Sequence, residues 1–224
     1  MIIPAYNAAR YVAAAIESAL HQSVPPLEVV VVDDESSDGT AAVAAAVGAP
    51  VRCVRQPHAG AGPARNLGVR ESRGEHLAFL DADDLWTADK LRLQLTALRE
   101  HPGIAMVFGH VEEFLSEELT PAERSRIVVR EGSHPGILAQ TMLIARADFL
   151  RVGEFSAAWK LGEFMEWYAR AKELGLGTLV VPLVVGRRRL HGGNLGIRER
   201  GSRADYARIL KESLDRRRRR PVEG

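Results

Sequence analysis

Apolar residues in this chain come in short runs, each closed by a knot of polar ones. Ile2-Ile3-Pro4-Ala5 opens into Tyr6-Asn7, and Leu27-Glu28-Val29-Val30-Val31-Val32 into Asp33-Asp34-Glu35-Ser36-Ser37-Asp38-Gly39-Thr40. His76-Leu77-Ala78-Phe79-Leu80 opens into Asp81-Ala82-Asp83-Asp84. Short apolar runs bounded by turn residues predict buried strands, and the β-branched second run suits a parallel sheet. Between the runs the spacing turns helical. It predicts helices over about Ala9 to Gln22, through the Ala-rich stretch to Val47, over Ala61 to Glu71 and over Thr87 to Glu100, with a further strand at Val51 to Arg55. Asp38 or Thr40 is the expected N-cap of the second helix. Strand and helix thus alternate over the first ninety residues, which predicts an α/β fold with ligand residues gathered at strand ends.

The later half is less regular. Ile104 to Val111 predicts a buried strand, Leu161 to Leu174 a helix, and Leu179 to Arg189 a strand broken at Pro182. Gly136 to Arg146 is apolar, whereas residues 112–135 are polar without period and are expected to form an irregular acceptor loop. From Arg198 onward the pattern is that of a charged amphipathic helix running into Arg216 to Arg220.

With 46% hydrophobic content, 224 residues can bury the core of one domain. A net charge of +1 gives no case for nucleic acid as a partner. Cys53 stands alone, so a disulfide framework and a thiolate metal site are excluded, and a reducing, cytoplasmic setting is the simplest expectation. The N-terminus has no signal-peptide pattern, and no run of eighteen apolar residues free of charge exists to span a membrane. The basic tail reads as a solvated end. Its second reading is peripheral contact with the anionic inner face of a membrane.

The chemistry concentrates at Asp81-Ala82-Asp83-Asp84. Three carboxylates at one strand end repel one another unless a cation joins them, and a hard divalent ion, Mn2+ or Mg2+, prefers such oxygens while carrying phosphates on its open positions. On an extended backbone Asp81 and Asp83 point to one side and share such an ion or its diphosphate. The plainer alternative is an acidic loop with Asp84 capping a helix that starts near Trp86. Gly60-Ala61-Gly62-Pro63 lacks the Lys-Ser/Thr of a P-loop, and the chain has no Gly-x-Ser-x-Gly elbow.

Pro4-Ala5-Tyr6-Asn7, then Val32 to Thr40, then Ala64-Arg65-Asn66-Leu67-Gly68, then Asp81-Ala82-Asp83-Asp84 stand in the order seen in family 2 glycosyltransferases. The chain resembles these inverting, GT-A-fold, nucleotide-sugar enzymes densely over residues 2–90 and more thinly to about residue 195. The resemblance implies one GT-A-like domain over residues 1–197, with a mainly parallel sheet flanked by helices, followed by a basic segment over 198–224. Residues 1–110 would hold the nucleotide sugar and 111–197 the acceptor. Family members have a longer first strand than Met1-Ile2-Ile3 provides, which implies a truncated start or an unusually short strand.

For the donor the resemblance nominates Pro4, Ala5, Tyr6, Asp33, Asp34, Arg65, Asp81 and Ala82. Asp83 leads as metal ligand, with Asp81 and His191 beside it, and Mn2+ or Mg2+ as the ion. Arg65 alternatively reads as a surface helix arginine, and His191 as a structural histidine; the neighbouring Arg187-Arg188-Arg189 could meet phosphate oxygens. The family's general base is an acid at the start of a late helix. Phe164 holds its usual Asp position here, which leaves Glu163, the preferred residue, and Glu166, three apart on one helical face. The expected reaction moves a sugar from a nucleoside-diphosphate donor, a UDP-sugar being favoured, to a hydroxyl acceptor on a glycan, lipid, peptide or small molecule. A nucleotidyltransferase and a catalytically silent sugar-nucleotide-binding module are the alternatives.

Overall fold

A computed structural model describes residues 1–159, 161–194, 207–209, 211–213 and 215–216. It opens with β1 (Ile2–Ala5), α1 (Val12–Leu20), β2 (Val29–Asp33), α2 (Thr40–Ala46), β3 (Val51–Arg55), α3 (Ala61–Glu71) and β4 (His76–Ala78). Strands β1, β2 and β3 pair in parallel, with Ile3 opposite Val31 and Val31 opposite Cys53. Val29 to Val32 are wholly buried. Each such valine contributes about 1.5 kcal/mol of transfer free energy, enough to make this the core of the N-terminal half. A parallel bridge from Ile2 to Phe79, with Leu80 N–H donating to Ile2 C=O at 3.0 Å, carries the sheet on to the end of β4.

The second half adds β5 (Leu85–Trp86), α4 (Lys90–Glu100), β6 (Ile104–Leu115), α5 (Pro121–Arg124), β7 (His134–Gly136), a 3-10 turn (Ala139–Thr141), β8 (Leu143–Ala145), α6 (Arg146–Val152), α7 (Glu163–Glu173) and β9 (Gly177–Leu190). Its strands lie in the order β4-β8-β6-β9-β5, with β7 against the outer part of β6. Behind them Phe79, Phe149, Phe155 and Trp167 form an aromatic core, with Phe149 and Trp167 stacked at 5.2 Å between centroids. Trp167 Nε1 donates to Gly153 C=O at 2.7 Å, fixing α7 against the end of α6.

Two glycines set the close approaches. A Cβ on Gly68 would sit 2.3 Å from Ile2 Cγ2, so only glycine lets α3 lie directly on β1. A Cβ on Gly109 would meet Val185 Cγ1 at 2.5 Å, beside the register shift where β6 meets β9.

Several expectations need correction. The α/β class holds, with most paired residues in the parallel ladders β1–β2, β2–β3 and β6–β9; the shorter pairings β4–β8, β6–β8, β6–β7 and β5–β9 are antiparallel, which the sequence did not foresee. The fourth helix starts at Lys90 rather than Thr87, because Leu85 and Trp86 are drawn into β5 beside Arg187 and Gly186. Asp84 therefore caps no helix. Residues 112–135 are not one loop: β6 runs on to Leu115, and a capping box of Thr120 and Glu123 starts α5. The β9 strand continues past Pro182 by shifting register there rather than ending. At α2 the N-cap residue is Gly39, in a left-handed conformation (φ 89°), with the Asp38 carboxylate accepting from Thr40 N–H at 3.1 Å from one residue further back.

At the C-terminal end, Arg216 is half-buried and paired rather than a free solvated end: its Nε donates to Glu173 Oε2 at 3.0 Å. Arg217 to Arg220 and most of the basic segment lie outside the described residues. No helix among the described residues is long and apolar enough to cross a membrane.

Candidate active site

The C-terminal ends of β1, β2 and β4 converge on one edge, and their turns are laced to each other. Asn7, held at φ 48°, accepts from Ser37 N–H at 2.9 Å, and its own N–H donates to Ser36 Oγ at 2.9 Å. Ala8 N–H reaches Thr40 Oγ1 at 2.8 Å and Ala9 N–H reaches Asp38 Oδ2 at 3.0 Å. Burial alone pushes the Asp38 carboxyl up, but bonds from the Thr40 hydroxyl, Ala9 N–H and Thr40 N–H outweigh it and hold the carboxyl below the usual range. Much of the polar run between Asp33 and Thr40 thus holds the two turns in register.

Asp33 and Asp34 are both buried. Asp34 accepts from Gln56 Nε2 (2.7 Å), Ala59 N–H (2.9 Å) and Gly60 N–H (2.8 Å), with His58 Nδ1 2.9 Å away. That set folds the β3–α3 loop back so that the His58 ring lies 4.3 Å from the Tyr6 ring. Asp33 is differently placed. Its Oδ1 accepts from Ser36 N–H, while its buried Oδ2 faces Arg55 Nε at 3.3 Å without hydrogen-bond geometry. Pro4 and Ala5 supply buried backbone, Ala5 C=O accepting from Asp34 N–H at 2.8 Å.

Arg65 is the centre of the arrangement and no surface residue: it is 4% exposed. Its Nη1 donates to Glu163 Oε1 at 2.6 Å and its Nη2 to Asp81 Oδ1 at 2.7 Å. Burial opposes its charge, yet Asp81 and Glu163 hold the guanidinium more firmly protonated than an ordinary arginine. Gly62, one turn earlier on α3, lets Glu163 approach, since a Cβ there would stand 3.3 Å from Glu163 Cγ.

Asp81 to Asp84 form a turn, closed by Asp84 N–H to Asp81 C=O at 3.0 Å, rather than the extended segment expected. Asp81 and Asp83 therefore face different partners. Asp83 Oδ2 lies 3.0 Å from His191 Nε2 and accepts from Asn194 Nδ2 at 3.1 Å. Ala82 between them is buried. Asp84 turns inward and accepts from Arg189 N–H at 2.7 Å. Burial, then the charges of Asp83 and Asp81, push its carboxyl well above the usual range, with the Arg189 amide opposing. Among the described residues, no three His, Cys, Asp or Glu side chains surround a single metal position.

The two glutamates part company. Glu163 starts α7 beside Gly162 (φ 87°) and joins Arg65. Glu166 is buried a turn further on and accepts from Arg170 Nε at 2.9 and 3.1 Å. Phe164 packs into the core against Phe108 and Tyr168. Three neighbours of the site, His58, Tyr11 and Phe114, were not foreseen from the sequence. Asn194 lies just past His191, which the sequence did nominate, and His58 follows a Gln-Pro turn off a predicted strand. Tyr11, whose ring lies 4.7 Å from that of His191, carries no local signal.

The architecture is that of the GT-A glycosyltransferases. Residues 1–157 match the family described as Glycosyl transferase family 2, and the chain belongs to that family. It is 28% identical to Escherichia coli chondroitin synthase over 229 residues, covering 96% of this chain and 32% of that protein. Among solved structures, S. aureus TarS in complex with UDP-GlcNAc superposes with a TM-score of 0.67 at 20% identity, covering 86% of this chain and 58% of that one. The mannosyltransferase PcManGT from Pyrobaculum calidifontis, in complex with GDP-Man and Mn2+, gives 0.67 at 20% identity, covering 98% and 63%. The chain spans half or less of the length of the curated relatives it matches.

Proposed function

We propose that this chain transfers a sugar from a nucleoside-diphosphate donor, a UDP-sugar by preference, to a hydroxyl acceptor with inversion at the anomeric carbon. The observation that carries the reading is the fork of Arg65, which ties a carboxylate of the predicted donor side, Asp81, to one of the predicted acceptor side, Glu163. In this reading the exposed Tyr6 ring, backed by His58, stacks on the base, and buried Asp33 Oδ2 accepts from a base N–H.

Glu163 is the general base. Arg65 engages Oε1, and among the described residues Oε2 has no hydrogen-bond donor, leaving it for the proton of an attacking hydroxyl. Because the pairing fixes the carboxylate before substrate arrives, little reorganisation is needed as the hydroxyl loses its proton. Glu166, committed to Arg170, is assigned to holding α7.

Asp83 and His191 offer a carboxylate oxygen and an imidazole nitrogen, a donor set that fits Mn2+ or Mg2+ with diphosphate oxygens and water in the other positions. Such an ion would neutralise the charge that develops on the departing diphosphate. The Mn2+ and GDP-Man bound by PcManGT support the assignment by fold. The test is release of nucleoside diphosphate from UDP-GlcNAc, UDP-glucose and GDP-mannose with a panel of hydroxyl acceptors. The anomeric configuration of the product is then read by NMR. Inverted product lost in Glu163→Ala supports the reading, and retained configuration contradicts it.

A further inference from the structure

Alternation along β9 puts Arg187 and Arg189 on one face, and Arg188 on the other, where it faces Glu113 at 3.5 Å; His191 follows just past the strand end. On the first face the Arg187 and Arg189 guanidinium carbons lie 4.8 and 4.7 Å from the centroid of the Phe114 ring. Arg189 also lies 5.1 Å from the Tyr11 ring, which in turn packs on His191. Arg189 Nε donates to Asp83 C=O at 2.9 Å, so the ladder begins at the proposed diphosphate position. It ends at exposed Arg187, about 7 Å of strand further out.

The two cations are under-compensated. Among the described residues neither Arg187 nor the Nη groups of Arg189 meet a carboxylate, and Glu112, opposite Arg187 in the β6–β9 register, forms no ion pair with it. Holding two guanidiniums near one phenyl ring costs repulsion, which the ring's π face offsets in part, and the Arg187 donors and the Arg189 Nη groups are left without a carboxylate among the described residues. That geometry suits a planar or tetrahedral oxyanion, which a guanidinium grips through paired N–H bonds.

We infer that Arg187, Phe114 and Arg189 form an acceptor subsite for an oxyanion, so that the hydroxyl acceptor carries a phosphate or carboxylate near its reacting sugar. This rests on the donor reading above and adds the class of the second substrate. The aromatic platform fits a sugar ring, and the guanidiniums its charged substituent.

The test titrates glucose 1-phosphate, glucuronic acid and glucose by NMR into the full chain held with saturating UDP and Mg2+. At least one anion is expected to bind about tenfold more tightly than glucose, and Arg187→Gln and Phe114→Leu each to remove about that factor without changing UDP affinity. Preference for glucose 1-phosphate assigns a phosphorylated acceptor, and preference for glucuronic acid an acidic glycan. Anions that bind no better than glucose, or binding untouched by Arg187→Gln, overturn the inference. If UDP itself fails to bind, the donor reading fails, and the same titration without nucleotide still decides the role of Arg187.

Discussion

Arg65 Nη1 donates to Glu163 Oε1 at 2.6 Å across 98 residues of sequence, from the third helix to the seventh. No local pattern could join the two. The bond is made possible by Gly62 beneath Glu163 and by the aromatic core that fixes α7, and the buried Arg65 Nε has no hydrogen-bond partner among the described residues.

Glu163→Gln keeps an oxygen for Arg65 but removes the proton acceptor. Turnover is expected to fall about 10²–10⁴-fold while UDP affinity stays within a factor of about three. Steady-state rates and a UDP titration on the same preparation check this. Turnover near wild type would remove Glu163 from the base role.

Glu166→Gln has the opposite profile. Its carboxylate anchors Arg170, whose Nη1 donates to Val152 C=O at 2.6 Å and Nη2 to Glu154 C=O at 2.6 Å. Losing the buried charge is expected to cost about 1–3 kcal/mol by urea unfolding and to leave turnover per folded molecule within about twofold. A selective loss of turnover with stability intact contradicts the division of labour.

The N-terminal half was legible because its signals are local. Apolar runs such as Val29 to Val32 and the turn residues behind them mark strand ends, and those ends carry the chemistry. Helix α3 was read to the residue, since Gly60 and Ser72 bracket it. Beyond residue 81 the deciding contacts are distant. Leu85 and Trp86 form a strand only because β9 lies beside them, and β6 persists to Leu115 only because Arg187 to Leu190 pair with it. The turn at Asp81 to Asp84, which parts Asp81 from Asp83, likewise depends on Arg189 holding Asp84.

Gly68→Ala forces a methyl to within 2.3 Å of Ile2 Cγ2, and α3 must lift from β1. The expected cost is about 1–3 kcal/mol. Ile2→Ala removes the clashing atom, so the double variant is expected to be less destabilised than the sum of the singles. Additive losses in urea unfolding would place the strain elsewhere.

Lys90 is wholly buried, with Nζ donating to Gln94 Oε1 at 2.6 Å and lying 4.4 Å from the centroid of the Trp86 ring. Desolvation holds its pKa well below the ordinary value of 10.5. The unfolded chain therefore binds a proton that the folded one gives up, and stability from this group rises with pH toward 10.5 and is lowest below its folded pKa. Unfolding free energy measured from pH 7 to 10 is expected to climb more steeply in the wild type than in Lys90→Met. Equal slopes would mean the folded amine titrates as it does in water.

In the proposed reaction the nucleotide diphosphate binds at Asp83 and His191 through a divalent ion. Calorimetric titration of UDP and GDP into metal-stripped protein, with and without Mn2+, tests it most directly when repeated on Asp83→Ala. At least one nucleotide is expected to bind, with Mn2+ strengthening the binding and Asp83→Ala weakening it at least about tenfold, the equivalent of one charge-assisted contact. Nucleotide binding indifferent to both the metal and the substitution would contradict it.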